Sequence, residues 1–163
     1  MLTHSGSLVS RLTQLAQQIR FRGTDHKYAY WSHAAVIVSP EGDIVEAYRA
    51  GVVRGKLADY ARCQRTIVHI DASAEDRAQV ADFAVRCLGL PYDRMTNISI
   101  LLCYLTGTTL TFGLGAQMIC GGLVARALER TTAFFGQDAS HIMPADLARI
   151  YRVDPPADQR RGI

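Results

Sequence analysis

The sequence predicts a single α+β domain. Three observations carry this. An apolar strand-like run is followed by a strong turn and a returning strand. Several segments carry apolar residues at helical spacing. A length of 163 residues, 48% of them hydrophobic and 20% charged, suits one compact unit with a real core.

The elements follow in order. Ser7 to Phe21 reads as an amphipathic helix, with Leu8, Leu12, Leu15 and Ile19 on one face and Ser7 as N-cap. Arg22 to Tyr30 is a polar loop ending in aromatics. His33 heads a strand through Ala34–Val38; Ser39-Pro40-Glu41-Gly42-Asp43 turns the chain, and Ile44–Ala47 returns as a hairpin. Val52–Val53 is a short strand, Leu57–Tyr60 one helical turn, and Thr66–Ile70 a further strand. A helix starts at Ser73 with Asp76 in its first turn, carries Val80, Phe83, Ala84 and Cys87 on one face, and stops at Gly89. Cys120 opens a helix running to about Arg130. Pro144 starts a last one, and Asp154 to Ile163 reads as a flexible tail after a domain over 1–153.

The net charge is +3, with basic residues scattered and only Lys27 and Lys56 as lysines, so no nucleic-acid face is expected. Cys63, Cys87, Cys103 and Cys120 match no zinc spacing and read as free thiols of a reducing compartment. No metal or cofactor is expected. The first residues lack a signal-peptide pattern, which points to a cytoplasmic protein or one delivered by a non-classical route, such as inside a virion. The uncharged segment from Ile98 to Leu114 is broken by Gly107. It suits a buried hairpin or a contact with a membrane or partner chain better than a transmembrane span.

The chemistry concentrates in two places. A thiol at a helix N-terminus has a lowered pKa, because free N–H groups and the helix dipole favour thiolate; Cys120 sits there. A histidine on a facing strand can take the thiol proton, and His33 is placed to do so. Glu46, on the returning strand, can hold the imidazole tautomer; Asp43 and Asp71 are weaker candidates. Tyr92 could donate to a developing oxyanion beside the Cys120 N–H. Each has a plainer reading: a core cysteine, a locally bonded histidine, a solvent-facing glutamate, a buried tyrosine. Gly121-Gly122 weighs against the first. Two glycines in a first turn cost about 1 kcal/mol each and let substrate or backbone approach the sulfur. His141 is a second imidazole of undecided role, and His4, His26 and His69 look incidental.

At these residues the chain resembles the permuted NlpC/P60 papain-like superfamily, the branch that includes YiiX/YaeF-like proteins. The resemblance rests on Ser32–Val38, Ile44–Ala47, Gly89-Leu90-Pro91-Tyr92-Asp93, the Cys120 helix start and Pro144–Ala148, in the family's order from about Ser7 to Ile150. It implies an antiparallel sheet packed against helices, with Cys120 as nucleophile, His33 as base and Glu46 as third residue. It implies a cysteine hydrolase or acyltransferase working through a thioester on peptide, peptidoglycan or lipid-acyl substrates; the residue chemistry above adds Tyr92 and Gly121 as expected neighbours of the oxyanion and substrate. Two departures stand out. Cys120-Gly121-Gly122 replaces the family's usual Cys-Ser-Glu, which also admits a non-catalytic binding or structural module. The chain begins late, so the first strand is expected to be short or missing.

Overall fold

The computed structural model describes residues 1–48, 50–91, 119–131 and 138–157. Expectations for Tyr92, Cys103, the apolar segment Ile98 to Leu114 and residues 158–163 lie outside them. Among the described residues the fold is α+β, with two three-stranded antiparallel sheets. One has the order β2-β1-β6, from β1 (Leu2–His4), β2 (His33–Ala34) and β6 (Gln64–Thr66). The other runs β3-β4-β5, from β3 (Val36–Ile37), β4 (Asp43–Tyr48) and β5 (Gly51–Lys56). The helices are α1 (Leu8–Arg20), α2 (Ala74–Arg86), α3 (Cys120–Leu128) and α4 (Pro144–Ile150). Three 3-10 segments, Gly23–Tyr30, Leu57–Tyr60 and Ala139–His141, complete the set.

The first strand is present and short, at three residues, and it is central in its sheet instead of at an edge. Leu2 pairs with Ala34 on one side and with Thr66 on the other. The expected single strand from Ala34 to Val38 divides at Ala35: His33–Ala34 belongs to one sheet and Val36–Ile37 to the other, paired with Val45 and Ile44. The last strand lies earlier than the apolar run suggested, at Gln64–Thr66, because its partners are in β1; Ile67 to Ile70 belongs to no strand. The hairpin turn forms as its residues dictate. Gly42 takes φ 85°, and the Ser39 hydroxyl donates to the Asp43 carboxylate at 2.9 Å while accepting the Asp43 N–H at 3.1 Å.

The caps stand as read. Ser7 accepts from the Ser10 N–H, and Ser73 with Asp76 forms a capping box. The face of α1 is a correction. Leu12 and Leu15 of the expected stripe do not enter the core: each is 49% exposed, whereas Ser10, Ala16 and Gln17 are buried. The tail also differs from expectation as far as it is described. Pro155 is fully buried, and Asp154 pairs with Lys27 at 2.6 Å.

The core forms where α3 crosses both sheets against β2 and β4, with α2 and α4 on its flanks. Leu123, Ala125 and Ala127 on α3 are fully buried, as are Trp31, Ala34 and Val45 around them. No helix among the described residues is long and apolar enough to cross a membrane.

Candidate active site

Cys120 is the first residue of α3, with Ile119 extended before it as N-cap. The first turn of any α-helix leaves N–H groups without intrahelical acceptors. One of them, on Gly121, donates to the Cys120 sulfur, as does the Ala34 N–H from β2. His33 heads β2, and its imidazole hydrogen-bonds the same sulfur. Its Nε2 lies 2.5 Å from Glu46 Oε2, so Nδ1 is the nitrogen left for the thiol. All three side chains are buried, with residue exposures of 8% for Cys120, 8% for His33 and 7% for Glu46.

Glu46 sits mid-way along β4, opposite Val53. Its Oε2 accepts a second hydrogen bond, from the Tyr60 hydroxyl. On its other side a Cβ at Gly55 would come within 3.1 Å of Oε1, so the glycine makes room for the carboxylate. The Tyr60 ring stacks on His33 with centroids 6.1 Å apart, and Tyr48 meets it edge-on at 6.0 Å. The imidazole is therefore clamped between rings, with one nitrogen on a carboxylate and the other on a thiol.

The electrostatics follow. Burial opposes charge on His33, but hydrogen bonds and negative charge from Cys120 and Glu46 outweigh it and raise its pKa to about 9. Burial raises the Cys120 thiol, while His33 and the two backbone N–H groups overcome this and lower it. Burial also works against the Glu46 carboxylate, and the bonds from His33 and Tyr60 hold its pKa below the usual value. Tyr60 is pushed up by burial and by Glu46, so it remains a donor. All four directions favour one state: thiolate, imidazolium, carboxylate.

The sequence-derived trio is thus brought together. Tyr92 lies outside the described residues. Gly121 is not open to a substrate on its α-carbon side, since a Cβ there would sit 2.0 Å from the Ile142 carbonyl oxygen. At Gly122 the corresponding atom is the Ala139 oxygen at 2.9 Å. The glycine pair therefore lets backbone approach backbone, α3 against the 139–143 segment. Asp43 is engaged by Lys56 at 2.7 Å, Asp71 is exposed, and His141 bonds Ser140 on the 3-10 segment; none joins the site. His4 stacks on Tyr30.

Sequence reasoning missed Tyr48 and Tyr60. Tyr48 was accessible by parity, two residues beyond Glu46 on the same strand face. Tyr60 arrives through a 3-10 turn after β5, and no spacing signals that. A cavity of about 270 Å³ opens on Cys120 and His33, walled by Thr3, Ser5, Ser10, Ser32 and the two tyrosines. Among the described residues no group of three His, Cys, Asp or Glu could hold a metal. No family model, curated protein or solved structure matches this chain.

Proposed function

We propose that this protein is a papain-like cysteine hydrolase or acyltransferase, with Cys120 as nucleophile, His33 as acid–base and Glu46 as the group that orients His33. One observation carries the reading: a helix-N-terminal thiol and a clamped imidazole hydrogen-bond each other on the wall of a cavity. The permuted NlpC/P60-like order of the sequence pieces supports the same assignment.

The steps follow from the ionisation state. The Cys120 thiolate attacks an amide or ester carbonyl, and the charge that develops on oxygen is met by the first-turn N–H of Cys120. Imidazolium His33 protonates the leaving group as the tetrahedral adduct collapses to a thioester. His33, now neutral, takes a proton from water or an acceptor nucleophile, which attacks the thioester and releases the acyl group. Glu46 holds Nε2–H throughout, so Nδ1 keeps facing sulfur. The glycine pair that sets the chain apart from the family has a packing explanation, so it carries no argument for a non-catalytic module.

The test is the pH dependence of alkylation by chloroacetamide, with the adduct mapped by mass spectrometry. A free thiol such as N-acetylcysteine loses about tenfold in rate per pH unit below its pKa of roughly 8.5. Cys120 should lose much less than that per pH unit between about pH 6 and 8, since His33 and the backbone N–H groups hold its pKa below the free-thiol value. His33→Ala should restore the steep slope. Acyl transfer, which also needs the imidazolium, should decline as pH rises through about 9, where His33 loses its proton. A Cys120 rate that follows the free-thiol slope would sink the assignment.

A further inference from the structure

The wall of the cavity facing Cys120 is built from hydroxyls, and the way they are built is informative. Helix α1 turns Leu12 and Leu15 outward and Ser7, Ser10 and Thr13 toward the cavity, three residues apart and so on one face. A helix packed on an ordinary core does the reverse. Thr3 from β1 and Ser32 before β2 extend the same wall.

Proton counting shows what this wall offers. The Ser7 hydroxyl donates to Ser10 Oγ at 2.9 Å, and Ser5 and Ser10 share a 2.6 Å bond. Those two bonds use two of the trio's three hydroxyl protons and leave one on Ser5 or Ser10. Ser32 Oγ accepts the Ser5 N–H at 3.3 Å, and its own proton finds no acceptor among the described residues. The Thr3 hydroxyl is fully buried and has no partner among them. Three O–H donors therefore stand uncommitted around one small cavity. Buried polar groups normally have partners, so their absence marks where a ligand supplies them. Apart from His33, no titratable nitrogen or carboxylate among the described residues lines the cavity.

We propose that Thr3, Ser5, Ser10 and Ser32 form a specificity subsite that seats an uncharged, carbonyl-bearing acyl group beside Cys120. This rests on the nucleophile reading above and deepens it. Carbonyl oxygens accept from the waiting hydroxyls. A hydrocarbon chain would strip water from those donors and give nothing back, and a carboxylate would enter beside a thiolate, imidazolium and carboxylate cluster that already carries net negative charge. The subsite thus selects against the lipid-acyl class and against acyl groups that are anionic next to the scissile bond.

Three chloromethyl ketones of similar length test this: acetyl-Ala-Ala, acetyl-Ala-Asp and 1-chlorodecan-2-one. In each the thiolate displaces chloride and forms a thioether, so the rate constant for Cys120 labelling reports how well the group seats. The rate relative to chloroacetamide should be highest for acetyl-Ala-Ala. Thr3→Val, which keeps shape and removes the hydroxyl, should lower that ratio about threefold to tenfold, the worth of one neutral hydrogen bond. Ser10→Ala should do the same and stands in if Thr3→Val does not fold. Equal ratios for the three reagents, faster labelling by the alkyl or aspartyl ketone, or unchanged ratios in the variants would overturn the subsite. A free-thiol pH slope with chloroacetamide would instead overturn the nucleophile. The ratio can be measured on a sluggish thiol too, so the two failures are separable.

Discussion

The Cys120–His33–Glu46–Tyr60 cluster and the Gln17–Arg20–Asp146 cluster are both buried polar networks, and they are finished in opposite ways. In the second, nearly every bond recorded ends on backbone. Gln17 donates to the carbonyls of Ala29 and Trp31 and accepts the Ala145 N–H; Asp146 accepts the Met143 N–H and pairs with Arg20 at 2.8 Å. Those contacts fasten α1 to α4 and to the segment before β2. In the first, the bonds run from one titratable side chain to the next and end on a cavity wall. Burial of polar groups is common to both, so burial alone marks neither as functional. What separates them is whether the network could exchange a proton with something that enters.

Exchanging the two roles by mutation is the strongest way to break this contrast. Asp146→Ala removes an anion beside Arg20 and leaves the Met143 N–H unsatisfied. Unfolding by denaturant should show a loss of about 3 kcal/mol, discounted from a fully buried pair because Arg20 is partly exposed. The Cys120 alkylation rate in the folded protein should stay within about twofold, as the cluster touches none of the reacting atoms. Glu46→Gln should do the converse: about a tenfold loss of Cys120 reactivity near pH 6.5, because the imidazolium loses its counter-charge. If Asp146→Ala slows the thiol while Glu46→Gln only melts the protein, the two clusters have been assigned the wrong way round.

A smaller effect is expected at the glycine pair. Gly121→Ala forces a Cβ to 2.0 Å from the Ile142 oxygen, a backbone atom that cannot swing aside, whereas at Gly122 the distance is 2.9 Å. Overpacking of this kind costs about 1–3 kcal/mol, with Gly121→Ala toward the upper end and Gly122→Ala below it. Thermal unfolding of the two variants checks the order. Equal, negligible losses would mean that the 139–143 segment yields easily and that the glycines answer to something other than packing.

How much of this was legible depended on how local the determinant was. Cys120 at a helix start and His33 at a strand head are properties of a few adjacent residues, and the Ser39–Asp43 turn brought Glu46 back to His33 by itself. The glycine pair was legible as special, but its cause, the Ile142 carbonyl, is distant in sequence. The inverted face of α1 ran against the rule that apolar stripes turn inward, because the interior it meets is a polar cavity and the buried Gln17 network. The division of the first hairpin strand at Ala35 was equally hidden. The run from Ala34 to Val38 is uniformly apolar, and only the presence of β1 decides where it changes sheets.

The finest test concerns Tyr60. Its hydroxyl helps to hold the Glu46 carboxyl below the usual carboxylate range, so Tyr60→Phe should raise that pKa. The sign carries through to folding. A carboxylate whose folded pKa is depressed contributes stability above its unfolded pKa, and that contribution is lost as pH falls through the folded value. Without the hydroxyl the loss should begin at a higher pH, and the acid end of the shallow alkylation profile should move up with it. The plateau rate itself should change by less than about threefold, because the ring still stacks on His33. A lower plateau with an unmoved acid limb would make Tyr60 a support for the imidazole ring alone. A moved limb with the plateau intact would place it in the proton chemistry, acting through Glu46, and would extend the contrast to the single hydroxyl that separates Tyr60 from phenylalanine.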